Sequence, residues 1–157
     1  MTKLDHIDRK ILTQLQRDAS QSIQTIAAQV GLTSNPCWRR IKRLQDAGII
    51  SGRVARLNPA AMGLKMTCFV TLHTDDHSED WLTAFNTAIQ NIPEIVECHR
   101  MTGDVDYLLK VLARDLEHYD QVYRRIIRLV PGLNDVSSAF SMEQLKDGQV
   151  ISVETEF

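Results

Sequence analysis

Two short stretches of the sequence carry side chains that could recognise a ligand. Four of the six residues from 38 to 43 are lysine or arginine, and such side chains neutralise phosphate groups. Residues 103–107 place a glycine before two carboxylates and a tyrosine. The glycine lets backbone N–H groups approach a ligand closely, and a carboxylate can hold an ammonium group. The first stretch indicates a polyanion. The second suits a free amino acid, or is a tight β-turn with surface acids.

Residue types that perform covalent or metal chemistry are present but poorly spaced. The three cysteines, at 37, 68 and 98, lack CxxC spacing, which argues against a disulfide framework and a zinc site. We expect Cys37 to be a small buried core residue. No nucleophile elbow, phosphate loop or catalytic dyad occurs, and the five histidines do not suggest a metal site. The sequence therefore predicts no enzyme, no metal site and no cofactor, and only an amino-acid effector as ligand.

Charge is divided unevenly along the 157 residues. Residues 1–56 contain ten lysines and arginines against four acids, whereas the remaining residues contain eight against sixteen. The resulting net charges, +6 and −8, make one end suited to a polyanion. The opening residues lack the apolar core of a secretion signal, and no run approaches the ~20 apolar residues of a membrane helix. We therefore expect a cytoplasmic protein without a membrane partner.

Helical periodicity in the basic end predicts three helices. The first carries one apolar face, formed by Leu4, Ile7, Ile11 and Leu15. Ser22 is a suitable N-cap for a short second helix, and Gly31 can end it in a left-handed conformation. A third helix then begins near Thr33 or Ser34, with Pro36 tolerated in its first turn. A short helix, a tight turn and a basic helix are typical of a helix-turn-helix.

The third helix has two different faces, and double-stranded DNA is the expected partner of the outer one. Its inward stripe consists of Cys37, Ile41 and Leu44. A short strand over 49–57 follows and could extend the phosphate footprint as a wing. The predicted DNA-binding residues are Ser34, Asn35, Trp38, Arg39, Arg40, Lys42, Arg43 and Arg53. Trp38 either packs in the core or lies against the sugar-phosphate backbone, and the charge run could instead be a solvated face.

The acidic end repeats one pattern twice, in which a helix follows one strand and precedes another. The predicted elements lie at 65–73, 78–92, 95–101, 105–114, 115–130 and 136–142. This βαββαβ order is that of a ferredoxin-like sandwich, so the predicted fold class is α+β. The predicted organisation is a winged helix-turn-helix domain over 1–57, a linker over 58–64 and an effector-binding and oligomerisation domain over 65–157.

Both helices of such a sandwich cover one face of the sheet. The other face is expected to carry apolar residues such as Phe69, Leu108, Leu112 or Phe140, whichever side each strand presents. An uncovered apolar face implies a partner surface, and a two-fold homodimer is the simplest closure, which also suits palindromic DNA. After a turn at 147–148, residues 150–156 alternate again and could add a strand to a sheet edge.

Together these motifs resemble the leucine-responsive regulatory protein/AsnC (Lrp/AsnC) family of bacterial and archaeal transcription regulators. The resemblance spans nearly the whole chain. It rests on residues 4–12 (LDHIDRKIL), 30–33 (VGLT), 36–37 (PC), 39–44 (RRIKRL), 47–50 (AGII), 57–59 (LNP), 103–109 (GDVDYLL) and 131–136 (PGLNDV).

The resemblance implies a winged helix-turn-helix joined to the family's amino-acid-metabolism regulatory domain. It also implies dimers that assemble into a tetramer of dimers, with an amino-acid effector held between dimers. By position, the implied effector-binding residues are Gly103, Asp104, Asp106, Tyr107, Ala139, Phe140 and Ser141. The tail at 146–149 departs from the family's usual ending, and Trp38 is bulkier than its usual counterpart, so operator preference does not transfer. Members with tryptophan after Pro-Cys include cysteine-responsive regulators, which suggests a sulfur amino acid.

Two other functions fit parts of the sequence. A small-molecule-binding enzyme or storage module would need a catalytic constellation and basic charge away from the third helix. An architectural, nucleoid-like DNA-binding protein without an effector would bind DNA with strong salt dependence and little sequence preference. The leading prediction is a sequence-specific transcription regulator whose DNA binding or assembly responds to an amino acid.

Overall fold

The computed structural model describes residues 3–146 and 150–153, which belong to two compact units. The first unit combines the chain up to Arg56 with the tail that begins at Leu145, and the second is Leu57–Gln144. None of the described helices has the length and apolar character that a membrane span requires.

The first unit contains the three predicted helices, α1 (His6–Arg17), α2 (Ile23–Val30) and α3 (Ser34–Asp46). The predicted caps of α2 are confirmed: the Ser22 side chain accepts a hydrogen bond from the Thr25 amide, and Gly31 is left-handed with φ of 75°. The inward stripe of α3 is also confirmed, because Cys37, Ile41 and Leu44 are all buried. They pack against apolar residues of α1 and α2, namely Ile11, Leu12, Ile26, Ala27 and Val30.

The segment after α3 differs from its prediction. Within the described residues 47–57 no regular strand forms, so the predicted short strand is wrong. Two of its apolar side chains, Val54 and Leu57, are 87% and 68% exposed, and no described residue pairs with this backbone as a neighbouring strand would. The predicted linker contains one turn of 3₁₀-helix, Ala60–Met62, which ends at the left-handed Gly63.

The tail returns to the first unit. The Gln16 side chain brackets the backbone of Ile151: its Nε2 donates to the Ile151 carbonyl at 3.0 Å, and its Oε1 accepts from the Ile151 amide at 2.7 Å. Arg9 donates to the Val153 carbonyl, and the half-buried Val153 packs on the core of the unit. Residues 150–153 therefore do not form the expected extra strand, and residues 154–156 of that prediction lie outside the described ones. The expected third region, 65–157, runs beyond the second unit.

The second unit has the predicted βαββαβ order and the ferredoxin-like arrangement. Its elements are β1 (Met66–Thr74), α4 (Glu79–Gln90), β2 (Ile95–Arg100), β3 (Tyr107–Ala113), α5 (Leu116–Leu129) and β4 (Leu133–Phe140). The sheet is antiparallel, with strand order β2-β3-β1-β4. Ser78 and Asp115 are the N-caps of α4 and α5, and each side chain accepts a backbone hydrogen bond in the first turn.

The core of the second unit lies between the sheet and the two helices. Alternate residues of β1 and β3 point into it, among them Cys68, Val70, Leu72, Tyr107, Leu109, Val111 and Ala113. Trp81 stacks on Phe85 at a centroid distance of 5.0 Å, and the Phe85 ring lies 4.4 Å from that of Tyr107. The Trp81 indole also donates to the Pro131 carbonyl at 2.7 Å, which fixes the first turn of α4 to the chain after α5.

The opposite face of the sheet carries three of the four apolar residues that were predicted for it. Phe69, at 39% exposure, lies beside the half-buried Leu108 and Leu112. Phe140 instead lies directly opposite Cys68 in the β1–β4 register, and paired residues share a face. Its ring therefore points towards the helices, where it meets Tyr119 edge-on at 5.0 Å.

We expect Gln16→Ala to release the tail. The variant loses both hydrogen bonds to Ile151, so amide hydrogen exchange should accelerate at 150–153. The free energy of unfolding of the first unit should fall by about 0.5–1.5 kcal/mol. Gln24→Ala is the matched control, because Gln24 is exposed on α2. Unchanged exchange at 150–153 in Gln16→Ala would contradict this role of the tail.

Candidate nucleic-acid interface and effector site

The outer face of α3 presents a tryptophan among polar and basic side chains. Asn35, Trp38, Arg39 and Lys42 fall on one side at helical spacing, and all four are exposed. Arg39 has no ion-pair or hydrogen-bond partner among the residues that the structure describes. Lys42 pairs with Asp46 at 2.7 Å, an exposed i, i+4 pair that contributes little to stability and can be exchanged for a phosphate. This face can therefore contact a polyanion without disturbing the fold.

Arg40 and Arg43 were predicted to bind DNA, but the structure places them against α1. Arg40 Nη1 lies 2.6 Å from Asp5 Oδ2 and 2.8 Å from Asp8 Oδ1. Arg43 Nη2 lies 2.5 Å from Asp8 Oδ2, and Asp8 itself is completely buried. Because a buried carboxylate needs compensating charge, the two arginines hold α3 against α1. Their charge is therefore already engaged within the unit.

The sequence contained a signal for this ion-pair cluster that its interpretation missed. Asp8 follows Leu4 by four residues and precedes Ile11 by three, so it lies on the apolar stripe of α1. An acid on an inward stripe indicates a buried charge, and Arg40 lies three residues after Cys37 on the facing stripe. Arg40 and Asp8 are 32 residues apart, so a pattern within one helix does not show that they pair.

The same carboxylates cap α1. Asp5 accepts from the Asp8 amide at 2.8 Å and Asp8 accepts from the Asp5 amide at 3.1 Å, which is a capping box. The hydrogen bond from the Asp8 backbone amide and, after it, the hydrogen bond from the Arg40 side chain lower the pKa of Asp5 to about 2. Asp5 and Asp8 in turn raise the pKa of Arg40.

The remaining predicted DNA-binding residues lie at the edges of this face. Ser34 is exposed in the first turn of α3, where unsatisfied backbone N–H groups also point outwards. Arg53 is exposed in the irregular segment after α3. Their part in binding DNA stays a prediction.

The 101–106 loop contains two carboxylates in different situations. Gly103 has φ of 104°, a conformation that L side chains rarely adopt. Asp106 is fixed: its Oδ2 accepts from the Thr74 amide at 2.9 Å, and its backbone amide donates to the Leu72 carbonyl at 3.1 Å. Asp104 is exposed and has no such bond among the described residues. Asp106 therefore joins the loop to β1, and Asp104 is available to a ligand.

Tyr107 occupies the core instead of lining the loop surface. Only 3% of it is exposed, and its ring contacts Trp81 and Phe85. Its hydroxyl oxygen is buried without a hydrogen-bond partner among the described atoms, and burial raises its pKa. As a predicted effector-binding residue, Tyr107 can act on a ligand only through this hydroxyl or by supporting the loop.

The two predicted halves of the effector site lie at opposite ends of β1. Tyr107 is opposite Leu72, whereas Phe140 is opposite Cys68, so about 13 Å separates them along the strand. Ala139 faces the uncovered side of the sheet beside Phe69, and the Ser141 amide donates to the Thr67 carbonyl at 2.9 Å. A single chain therefore does not bring the 103–107 and 139–141 segments together.

Phe140 borders a groove of about 630 Å³ between α5 and β4. Tyr119 and Tyr123 give it aromatic walls, and Glu117 and Asp120 give it an acidic rim. Tyr119 forms a hydrogen bond to Ser138 in its wall. Among the described residues, no group of three or more histidine, cysteine or acidic side chains gathers to hold a metal ion.

Comparison with known proteins extends over both units. Residues 4–51 match the winged helix-turn-helix DNA-binding family, and residues 67–151 match the Lrp/AsnC ligand binding domain. The chain is 48% identical over 143 residues to the DNA-binding transcriptional activator DecR of Escherichia coli K12, which covers 91% of this chain and 94% of that protein.

Two solved structures share the fold. An AsnC family transcriptional regulator from Agrobacterium tumefaciens has 46% identity and a TM-score of 0.87, and the match covers 92% of this chain and 94% of that one. The transcriptional regulator NMB0573 from Neisseria meningitidis, solved as a complex with L-Met, has 29% identity and a TM-score of 0.86 with the same coverage. The predicted winged helix-turn-helix and α+β fold class are confirmed.

We expect Arg39→Ala and Arg40→Ala to act differently. Arg39→Ala should weaken duplex DNA binding and lower the slope of log K against log[salt] by about one, with thermal stability unchanged. Arg40→Ala should reduce the free energy of unfolding by about 1–3 kcal/mol. This loss is smaller than that from breaking a fully buried ion pair, because the Arg40 side chain is 29% exposed. Fluorescence anisotropy at several salt concentrations measures DNA binding, and urea unfolding measures the free energy of unfolding. Arg17→Ala, at the exposed end of α1, is the control, and equal DNA binding by Arg39→Ala and the parent would exclude Arg39 from the interface.

We expect the contribution of Asp5 to stability to depend on pH. Its folded-state pKa of about 2 lies below the ordinary 3.8, so this contribution is complete above about pH 4 and disappears as the pH falls towards 2. The difference in unfolding free energy between the parent and Asp5→Asn should therefore shrink over that range. Urea unfolding from pH 2 to 7 measures it. A difference that stays constant with pH would show that the ionised carboxylate contributes nothing.

Proposed function

This chain belongs to the Lrp/AsnC family, and we propose that it is a sequence-specific transcription regulator that reads double-stranded DNA and responds to a free amino acid. The exposed face of α3 carries the proposal. Arg39 there is unpaired among the described residues, while the neighbouring arginines on the inner flank are engaged with Asp8. In this proposal the protein acts in the cytoplasm, and its function involves neither catalysis nor a metal.

Three observations support an amino acid as effector. The second unit matches a ligand-binding domain family, and NMB0573, a structural relative, was solved with L-Met. The 101–106 loop combines the left-handed Gly103 with the exposed carboxylate of Asp104. In the proposed complex Asp104 binds the ammonium group, and backbone N–H groups near Gly103 bind the carboxylate. Asp106 positions the loop.

A homo-oligomer explains why one chain holds only part of the proposed site. The 139–141 segment lies at the far end of β1 from Asp104. A second copy that presents this segment to the loop would complete the pocket. The uncovered sheet face with Phe69, Leu108 and Leu112 is the proposed dimer surface, and contacts between dimers then give the tetramer of dimers.

We expect Asp104→Ala and Asp106→Ala to separate sensing from structure. Asp104→Ala should reduce amino-acid affinity about tenfold or more, because it removes an ammonium–carboxylate hydrogen bond worth about 1.5–3 kcal/mol. Its DNA affinity without effector should persist, since coupling can be lost while each site remains. Asp106→Ala should lower the melting temperature of the second unit. Calorimetric titration of the free amino acids and thermal unfolding test both variants.

Asp75→Ala, an exposed acid in the chain after β1, is the control. If no amino acid binds the parent at millimolar concentration, the sensing half of the proposal fails, and an architectural DNA-binding function takes its place.

A further inference from the structure

The Trp38 side chain is exposed to solvent, although tryptophan is highly buried on average in folded proteins. It is 52% exposed in the second turn of α3, and among the described residues of that helix it is the one exposed large apolar side chain. The core stripe of Cys37, Ile41 and Leu44 points the other way. Trp81 in the second unit is only 4% exposed. The first unit is therefore complete without the Trp38 ring, which is left available to a partner.

The surroundings of Trp38 indicate what that partner is. Asn35 lies three residues before it, Arg39 follows it and Lys42 lies four residues after it, so polar and cationic groups border the ring. A protein or lipid partner would be expected to meet further apolar residues on this face, and the described neighbours are polar. A basic face around one apolar ring is complementary to duplex DNA, in which charged phosphates flank the stacked bases.

The major groove offers one apolar group to such a ring. Base edges there present hydrogen-bond donors and acceptors, and thymine adds its C5-methyl group. The amino-terminal half of the second helix of a helix-turn-helix is the part that reaches base edges, and Trp38 lies in that half of α3. Resting on the proposed DNA-binding function, we propose that Trp38 is a specificity-determining residue that selects thymine by contact with its C5-methyl group.

The test removes the methyl group and the ring in turn. Duplexes are first enriched from a random library with the full-length parent, and each thymine of the best duplex is then replaced by deoxyuridine, which lacks only that methyl. At one or two positions the parent should lose about five- to tenfold in affinity. Trp38→Ala should bind the thymine duplex more weakly and should not discriminate between thymine and uracil there. Trp38→Leu, which keeps an apolar contact, should retain part of the discrimination.

Arg39→Ala provides the matched comparison on the same face. This variant should bind the thymine and uracil duplexes more weakly by the same factor. It should therefore keep the parent's ratio of affinities for the two duplexes. Thermal unfolding checks that each variant is folded, and if Trp38→Ala unfolds, Trp38→Gln replaces it in the same titrations.

Three results would overturn the proposal. Trp38→Ala could keep the parent's preference for thymine over uracil. It could lose the same factor on enriched and random duplexes, which would place the ring on the sugar-phosphate backbone. The parent could instead be sensitive to 7-deazaguanine, with this sensitivity lost in Trp38→Ala, which would show that the indole N–H donates to guanine. A parent that binds no duplex would refute the proposed function itself, so the two failures are distinguishable.

Discussion

The geometry of the first unit depends on one buried carboxylate. Asp8 is enclosed between α1 and α3, and removing a charge from water is tolerated only when partners compensate it. Arg40 and Arg43 supply that compensation from consecutive turns of α3, which restricts both the rotation of this helix about its axis and its slide along α1. With those two arginines directed at Asp8, the same helix presents Trp38 and Arg39 to solvent. The ion-pair cluster thus determines which side chains are left for a ligand.

Local signals in the sequence predicted much of the fold. Caps such as Ser22 and Ser78 act within one helical turn, and alternation along a strand reports burial directly, so both are readable without knowing the tertiary structure. Features that depend on distant partners were missed: the Asp8 cluster, the face of Phe140 and the contacts of Val153. The orientation of Phe140 follows from the β1–β4 register, and register is set by pairing between strands that are far apart in sequence.

The residues predicted for the effector site do not lie together within one chain. They were taken from two segments, and the β1 register places these at opposite ends of one strand. In the proposed homo-oligomer, division of the site between copies has an energetic consequence. A ligand that contacts two chains at once stabilises their association by its own binding free energy, so ligand concentration and assembly become linked. The hydrogen-bonded Asp106 and the buried Tyr107 suit the proposed arrangement, because both support the loop within a single chain.

The return of the tail to α1 makes the order of protein synthesis matter. Arg9 and the carbonyl that it contacts at Val153 are 144 residues apart. At ~5–20 residues per second a ribosome needs roughly 7–30 s to make that stretch. The three helices therefore leave the ribosome early, yet their core lacks Val153 until the sequence of the second unit has been translated. The first unit is thus begun before the second unit is made and completed after it, and a nascent chain carries an unfinished first unit throughout that interval.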